Sequence, residues 1–182
     1  MTSQHQKAKK KAKNEYYAIY SGRVDEPTIF SSWGDAHPRV TGCKAEHGAF
    51  PTLEEARIFL RDHYGVAEPK EVFKEGAGET APLPGSQAFY AVANGENPGI
   101  YPCYYGKKGA ELEVKDFKGS CHKLFKTRAQ AEAFIEDWKN SYADVWREAI
   151  REALDHGPRP TDMKIRVERI LSCISHHKRN SK

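Results

Sequence analysis

The sequence predicts an α+β protein made of two small β-β-α-β-α modules and a C-terminal helical hairpin. Short segments rich in β-branched and aromatic residues, which favour strands, are followed by segments whose apolar residues recur at helical spacing. The same order of segments then occurs a second time, and a stretch rich in glycine and proline separates the two copies.

The first module is predicted for residues 15–64. Tyr16–Tyr20 and Thr28–Phe30 are typical of two strands joined by a hairpin loop. Pro38 excludes a long regular helix in the segment that follows, but a short helix is compatible with it. Residues 42–50 are predicted to form a loop and a short strand.

The helix that closes this module is predicted from Pro51 to Leu60. Thr52 is a favourable N-cap residue, and Glu55 stands three positions later, where a capping-box partner is expected. Apolar side chains at helical spacing follow, so we expect one face of the helix to pack on the sheet.

The second module, residues 88–139, repeats the first with only short insertions. The matching pairs are Phe89–Val92 with Tyr16–Ile19, Gly99–Tyr101 with Thr28–Phe30, Val114–Phe125 with Val40–Phe50, and Thr127–Ile135 with Thr52–Leu60. Residues 65–87 between the modules hold many glycines and prolines and few apolar residues, which predicts a flexible linker.

Helices are also predicted beyond the repeats. Residues 142–154 and 163–174 each carry an apolar stripe, and a Gly-Pro break between them predicts a helical hairpin over 140–175. Lysine-rich ends, a disordered arm at 1–14 and a tail at 176–182, would attract phosphate without sequence preference.

The composition favours a soluble, intracellular protein. Mean hydropathy is -0.77, no segment approaches the roughly 20 apolar residues that cross a bilayer, and the N-terminus lacks the apolar core of a secretory signal. The four cysteines include no Cys-x-x-Cys pair, so free thiols are expected. The net charge of +4 suits a polyanionic partner but equally suits solvated tails.

The second copy combines a Phe-Tyr-Ala-Val strand, a nearby glycine, a Gly-Ile-Tyr strand, a Gly-Ser-x-His-Lys-x-Phe segment and a Thr-x-x-x-Ala-x-x-Phe helix. This combination resembles the N-terminal hybrid-binding domain of ribonuclease H1 and the related caulimovirus viroplasmin domain. The resemblance covers residues 16–60 and 89–135. It implies that each module has a three-stranded antiparallel sheet with two helices. It also implies that the module binds RNA/DNA hybrid or double-stranded RNA.

Carried over residue by residue, the resemblance places nucleic-acid contacts mainly in the second copy. Lys123 falls at the first of the family's two phosphate-contacting lysines, and Leu124 replaces the second. Tyr104 falls where the family has a tryptophan, and His122 where it has an aromatic or histidine side chain near the DNA strand. The assigned contacts are Tyr90, Tyr104, Lys118, Gly119, Ser120, His122, Lys123 and Lys126.

The first copy keeps fewer of these residues. Gly48 and Ala49 stand where the family has its lysines. The residues that could still reach a ligand are Tyr17, Trp33, Lys44 and His47. The resemblance therefore implies that the first module binds weakly or serves another purpose, although two binding modules on one linker would gain avidity.

Neither a metal site nor a cofactor is expected. Cysteine and histidine neighbours lack the paired spacing of structural zinc ligands, and no carboxylate-bearing domain follows residue 135 to hold the metal ions of nucleic-acid hydrolysis. We therefore expect no catalytic residues and a protein that is not an enzyme.

The function that follows is non-catalytic binding of RNA/DNA hybrid or double-stranded RNA, mainly by the second module, without a membrane. One alternative is a protein-interaction scaffold or viroplasmin-like assembly protein, with a protein partner at an apolar stripe of the hairpin that includes Trp146, Ile150, Ile165 and Ile170. The other alternative is an accessory subunit of a nucleic-acid enzyme.

Overall fold

The computed structural model describes residues 13–157 and confirms the α+β class. The chain divides into two compact units, Met1–Val145 and Trp146–Lys182. The first unit contains both predicted modules, and the described part of the second is helical through His156. None of the described helices is both long enough and apolar enough to cross a membrane.

The first sheet has four strands where three were expected. Its strands are β1 (Tyr16–Ser21), β2 (Thr28–Phe30), β3 (Glu46–Phe50) and β4 (Lys70–Val72), in the order β3-β1-β2-β4. β1 pairs antiparallel with β2 and β3, whereas β4 pairs parallel with β2. β4 comes from the predicted linker, so the prediction of a flexible segment over 65–87 was wrong for this part.

Two helices cover the first sheet, one on each face. α1 (Trp33–Val40) is short and contains Pro38, as predicted. α2 (Leu53–Tyr64) is capped by Thr52, whose side chain accepts a hydrogen bond from the Glu55 amide at 3.2 Å. Alternate strand residues point to opposite faces, so one core forms beneath each helix.

The second sheet has the three antiparallel strands that were expected. They are β5 (Phe89–Asn94), β6 (Gly99–Tyr101) and β7 (Cys121–Phe125), in the order β6-β5-β7. The helices are α3 (Glu111–Val114), which is a single turn, and α4 (Arg128–His156). The face beneath α3 and the face beneath α4 have separate apolar cores.

The predicted boundary between the second module and the hairpin was wrong, because α4 is one continuous helix of 29 residues. Residues 136–144 hold neither glycine nor proline, so nothing in the backbone stops the helix there. The second predicted hairpin helix, the tail at 176–182 and all but the last two residues of the basic arm lie outside the described residues, as do Ile165 and Ile170.

The two modules of the first unit pack directly on each other. Trp33, the first residue of α1, lies against the apolar core between β5, β7 and α4. A Cβ on Gly34 would come within 2.6 Å of the Phe134 carbonyl oxygen, so the backbones of α1 and α4 approach too closely for a side chain. Arg39 donates to the Ser141 hydroxyl, and that hydroxyl donates to the Asp35 carbonyl at 2.8 Å.

The segment between the modules is also attached to the second one. The amide of Lys126 donates to the Thr80 carbonyl at 2.9 Å, and Lys74 lies 3.2 Å from Asp137 of α4. Lys74 also lies 3.4 Å from Asp35 of α1. Residues of the predicted linker thus bridge the two modules.

The contact at Gly34 predicts a loss of stability when a methyl group is added. Gly34→Ala should lower the free energy of unfolding by about 1 to 3 kcal/mol, because an overpacked interface must shift its backbone. Urea denaturation measures the change. Gly99→Ala is the control, because the atoms nearest to its added Cβ lie 3.7 Å away. Equal effects of the two substitutions would contradict the close approach of α1 and α4.

Candidate nucleic-acid interface

An aromatic surface lies on the α3 side of the second sheet. Tyr90 and His122 project from neighbouring strands β5 and β7 to the same face, since Val92 pairs with His122 and Tyr90 with Leu124. The Tyr104 ring lies between them, with its centroid 5.7 Å from that of Tyr90 and 5.8 Å from that of His122. The Tyr104 and His122 rings are stacked, with 29° between their planes. We call these three residues the aromatic face.

The loop between β6 and α3 holds Tyr104 in place. The amide of Ala110 donates to the Cys103 carbonyl at 3.1 Å, and the amide of Glu111 donates to the Tyr104 carbonyl at 2.9 Å. A Cβ on Gly109 would lie 2.2 Å from the Tyr104 carbonyl oxygen, so the loop closes tightly only because this position is glycine. The position of Tyr104 is therefore set by the backbone.

His122 contributes an uncharged ring to the aromatic face. Burial lowers the pKa of His122 from its ordinary value of 6.5, so the imidazole is mostly neutral at pH 7. It can stack on a sugar or donate one hydrogen bond, but it does not supply a positive charge at neutral pH.

Exposed lysines flank the aromatic face along the chain. Lys107 and Lys108 lie in the loop before α3, and Lys115 and Lys118 lie directly after it. Within residues 13–157, none of these four lysines has an ion pair. Lys126 is exposed as well, but its Nζ lies 3.2 Å from Glu79.

The loop Lys118–Ser120 is positioned by contacts in both modules. Gly119 has a φ of 77°, a backbone conformation that favours glycine, and its carbonyl accepts from the Asn94 amide group at 2.7 Å. The Ser120 carbonyl lies 3.2 Å from Nε2 of His37 in α1. The Lys118 side chain is left exposed.

Lys123 lies on the opposite side of the sheet from the aromatic face. It is the strand neighbour of His122, and neighbours on a strand point to opposite faces. Its Nζ lies 3.2 Å from Glu15 of the first module, with the two side chains only 12% and 5% exposed. Burial lowers the pKa of Lys123, while the Glu15 carboxylate acts in the opposite direction.

The corresponding face of the first module is partly covered by the second. Tyr17 is 7% exposed, and the Lys123 ammonium lies 5.4 Å from the centroid of its ring. Trp33 packs on Tyr17 at 5.0 Å and on the core beneath α4. His47, which pairs with Ile19 as His122 pairs with Val92, remains exposed, as does Lys44.

Besides Gly119, Ser120 and Lys126, which are described above, the sequence-predicted residues divide into three groups. Tyr90, Tyr104 and His122 meet at one surface. Lys118 lies a few residues after α3 in the sequence, and its side chain is exposed. Lys123, Tyr17 and Trp33 meet at the contact between modules. Lys44 and His47 belong to the first sheet and the loop before β3.

A comparison with known families matches the two predicted modules. The ribonuclease H1 N-terminal domain model matches residues 15–60 and 88–135, which together are just over half of the 182 residues. The chain belongs to the ribonuclease H1 N-terminal domain family. Searches of curated proteins and of solved structures found no match. Membership in this family indicates binding of nucleic-acid hybrids in general.

In these ribonuclease H1 N-terminal modules, Lys107 and Lys108 were missed as candidate contacts in the sequence. The spacing from Tyr104 to Val114 is three residues longer than that from Trp33 to Val40, and this longer loop contains Lys107 and Lys108. Its length and charge were the available signal for further cations near Tyr104.

The other missed residue is Glu15, the partner of Lys123. Its equivalent in the second copy is Ala88, and the equivalent of Lys123 in the first copy is Gly48. Each charge is thus present in one copy and absent from the other. This complementary difference was the available signal in the sequence for an ion pair between the two copies.

The described residues contain no group of three or more cysteine, histidine, aspartate or glutamate side chains arranged to hold a metal ion. Cys43, Cys103 and Cys121 are free thiols. Burial raises the pKa of Cys121 well above its ordinary value.

The ion pair between Lys123 and Glu15 predicts a charge-dependent stability. Lys123→Met should lower the free energy of unfolding by about 3 kcal/mol, because it leaves a buried carboxylate without its counter-charge. The double variant Glu15→Gln/Lys123→Met should recover most of that loss. Denaturant unfolding of the unsubstituted protein, the Glu15→Gln variant, the Lys123→Met variant and the double variant measures the coupling energy between the two side chains.

Lys70→Met is the matched control, because the Lys70–Glu26 pair is about half exposed and such pairs contribute about 0 to 1 kcal/mol. Unchanged stability of the Lys123→Met variant would contradict the role of this ion pair in holding the modules together.

His37 and Asp35 of α1 predict opposite pH dependences. Burial lowers the pKa of His37 from 6.5 to about 4, so between these pH values the folded state binds fewer protons than the unfolded state. The stability that depends on a neutral His37 is therefore lost as pH falls. Burial, and then the nearby Asp137, raise the pKa of Asp35 from 3.8 to about 6, so its effect is the reverse over nearly the same range.

Single substitutions should separate these two effects. Compared with the unsubstituted protein, Asp35→Asn should lose stability more steeply as pH falls from 6.5 to 4, and His37→Gln should lose it less steeply. Urea unfolding across this pH range measures both slopes. Profiles parallel to that of the unsubstituted protein would show that neither group is perturbed.

Proposed function

We propose that this protein binds an A-form duplex, either RNA/DNA hybrid or double-stranded RNA, through the aromatic face and the exposed lysines of its second module. The first module braces the second and leaves its own equivalent face partly covered. The observation that carries this proposal is the difference between the two faces. Among residues 13–157, the ring contacts of Tyr104 and His122 all lie within the second module, whereas Tyr17 and Trp33 are in contact with the other module.

The aromatic face has the chemistry that an A-form duplex requires. Such duplexes are recognised across a wide, shallow minor groove through shape, phosphates and 2′-hydroxyl groups. The stacked rings of Tyr104 and His122 offer a flat surface for a sugar, and a neutral His122 can also donate a hydrogen bond to a hydroxyl oxygen. No base edge needs to be read, so we expect little sequence preference.

Lysines without ion pairs supply the attraction to phosphate. Lys107, Lys108 and Lys118 are exposed and lie within four residues of Tyr104 or His122 in the sequence. Each of them could neutralise one phosphate of either strand. Each such contact should contribute about one unit to the slope of log affinity against log salt concentration. Lys123 and Lys126 already have carboxylate partners, so we propose smaller contributions from them.

A single open face also predicts the stoichiometry of the complex. The segment 65–87 bridges the modules instead of tethering them loosely, so two modules of one chain would not bind one duplex independently. We therefore propose one duplex site per chain without avidity.

We further propose that the chain binds without catalysis. A protein partner at the C-terminal helices and an accessory role in a nucleic-acid enzyme remain predictions.

Binding titrations test the proposed function. Hybrid and double-stranded RNA should bind more tightly than double-stranded DNA of the same sequence, because B-form DNA lacks both the groove shape and the 2′-hydroxyl groups. Tyr104→Ala and His122→Ala should each weaken hybrid binding about tenfold, whereas Lys118→Gln should reduce the salt slope by about one.

Matched controls exist in the first module. Tyr64→Ala removes a tyrosine from the stacked pair of Tyr20 and Tyr64, and Lys70→Gln removes a lysine that pairs with Glu26. Neither control should change affinity or salt slope. Equal affinity for hybrid and double-stranded DNA, or hybrid binding that resists both Tyr104→Ala and His122→Ala, would contradict the proposal.

A further inference from the structure

Tyr105 is an exposed aromatic residue that the aromatic face does not account for. It follows Tyr104 in the loop before α3, and it is 72% exposed. Its ring meets the Tyr104 ring edge to face, with centroids 4.9 Å apart and 88° between the planes. An exposed ring at the side of the aromatic face is accessible to a ligand that binds this face.

The angle between the two tyrosines determines what Tyr105 can contact. If Tyr104 lies flat against sugars, it is parallel to the wall of the groove, and the base planes of the duplex are roughly perpendicular to that wall. The Tyr105 ring, at 88° to Tyr104, is then also roughly perpendicular to that wall, and a ring in this orientation can lie parallel to the bases. A ring parallel to the bases is oriented for base stacking.

Inside a continuous duplex each base already stacks on its two neighbours. A protein ring can therefore stack on a base only where one face is free, which occurs at a duplex end or at an unpaired nucleotide. Tyrosine rings serve as such stacking platforms for single-stranded nucleic acid, usually together with cations that follow the backbone. Lys107 and Lys108, two and three residues after Tyr105, are exposed and without ion pairs in the described structure.

The loop presents Tyr105 in a defined position. Backbone hydrogen bonds join Ala110 to Cys103 and Glu111 to Tyr104, so they close the loop around Tyr105. Gly106 has a φ of 94°, and its carbonyl accepts from the Gly109 amide at 2.9 Å, which forms a turn directly after Tyr105. A platform that is ordered before binding loses less conformational entropy when the ligand arrives.

We propose that Tyr105 stacks on the first unpaired base beside the bound duplex, and that the preferred ligand is a duplex with a single-stranded overhang. This proposal rests on the proposed function, because the duplex must occupy the aromatic face for Tyr105 to reach its end. Lys107 and Lys108 would contact phosphates of the strand that leaves the duplex. The first module has no counterpart, since its equivalent segment is three residues shorter.

The test compares hybrids that share one duplex sequence and differ only at the end. One is blunt, and the others carry a short 5′ or 3′ overhang with 2-aminopurine at the first unpaired position. An overhang should tighten binding at least about fivefold, which corresponds to one stacked base, and should quench 2-aminopurine fluorescence. Tyr105→Ala should remove both effects and weaken binding of the blunt hybrid less than that of the overhanging hybrids, whereas Tyr105→Phe should keep both.

Leu83→Ala is the control, because Leu83 is another exposed apolar side chain, at 78% exposure, from the segment between the modules. It should change neither effect. Equal affinity of the unsubstituted protein for blunt and overhanging hybrids would overturn the proposal, and so would a Tyr105→Ala variant that keeps the overhang preference. Failure of the proposed function looks different, because the blunt hybrid itself would then bind weakly or independently of Tyr104 and His122.

Discussion

The buried ion pair of Lys123 and Glu15 links the two modules on the side of the second sheet that lies opposite the aromatic face. It joins β7 of the second module to the residue just before β1 of the first, and it brings the lysine over the Tyr17 ring. A buried ion pair gives little net stability, because desolvation offsets most of the attraction. It disfavours arrangements of the modules that bury one of these charges without the other, because a buried charge without its partner is costly. Around it, the Trp33 packing and the close approach at Gly34 supply the apolar contact.

The two copies of the module differ in how they use equivalent aromatic residues. In the first copy, the residues equivalent to Tyr90 and Tyr104 are Tyr17 and Trp33, and they form part of the contact between modules. In the second copy they stay in a partly exposed face, beside a longer loop that adds a tyrosine and two lysines.

Local patterns were sufficient to predict much of the fold. The Thr52 cap, the short helix at Pro38 and the repeated strands depend on interactions within a few residues, so sequence periodicity reveals them. Strand β4 could not be predicted, because Lys70–Val72 is stabilised by its long-range pairing with β2. Strand alternation could have separated His122 from Lys123, since neighbouring residues on a strand point to opposite faces. The resemblance instead assigned both to nucleic acid from their positions in the family's motif, and the partner of Lys123 lies 108 residues away.

Mapping of amide chemical shifts during titration with a short RNA/DNA hybrid would test the central claim, that the second module binds and the first braces it. Saturable changes are expected at Tyr90, Tyr104 and His122, in the loop 102–110 and at Lys118, with one hybrid per chain. Amides of β1 and α1 in the first module should change little. Saturable changes centred on Tyr17, Trp33 and His47, with the loop 102–110 unaffected, would contradict it.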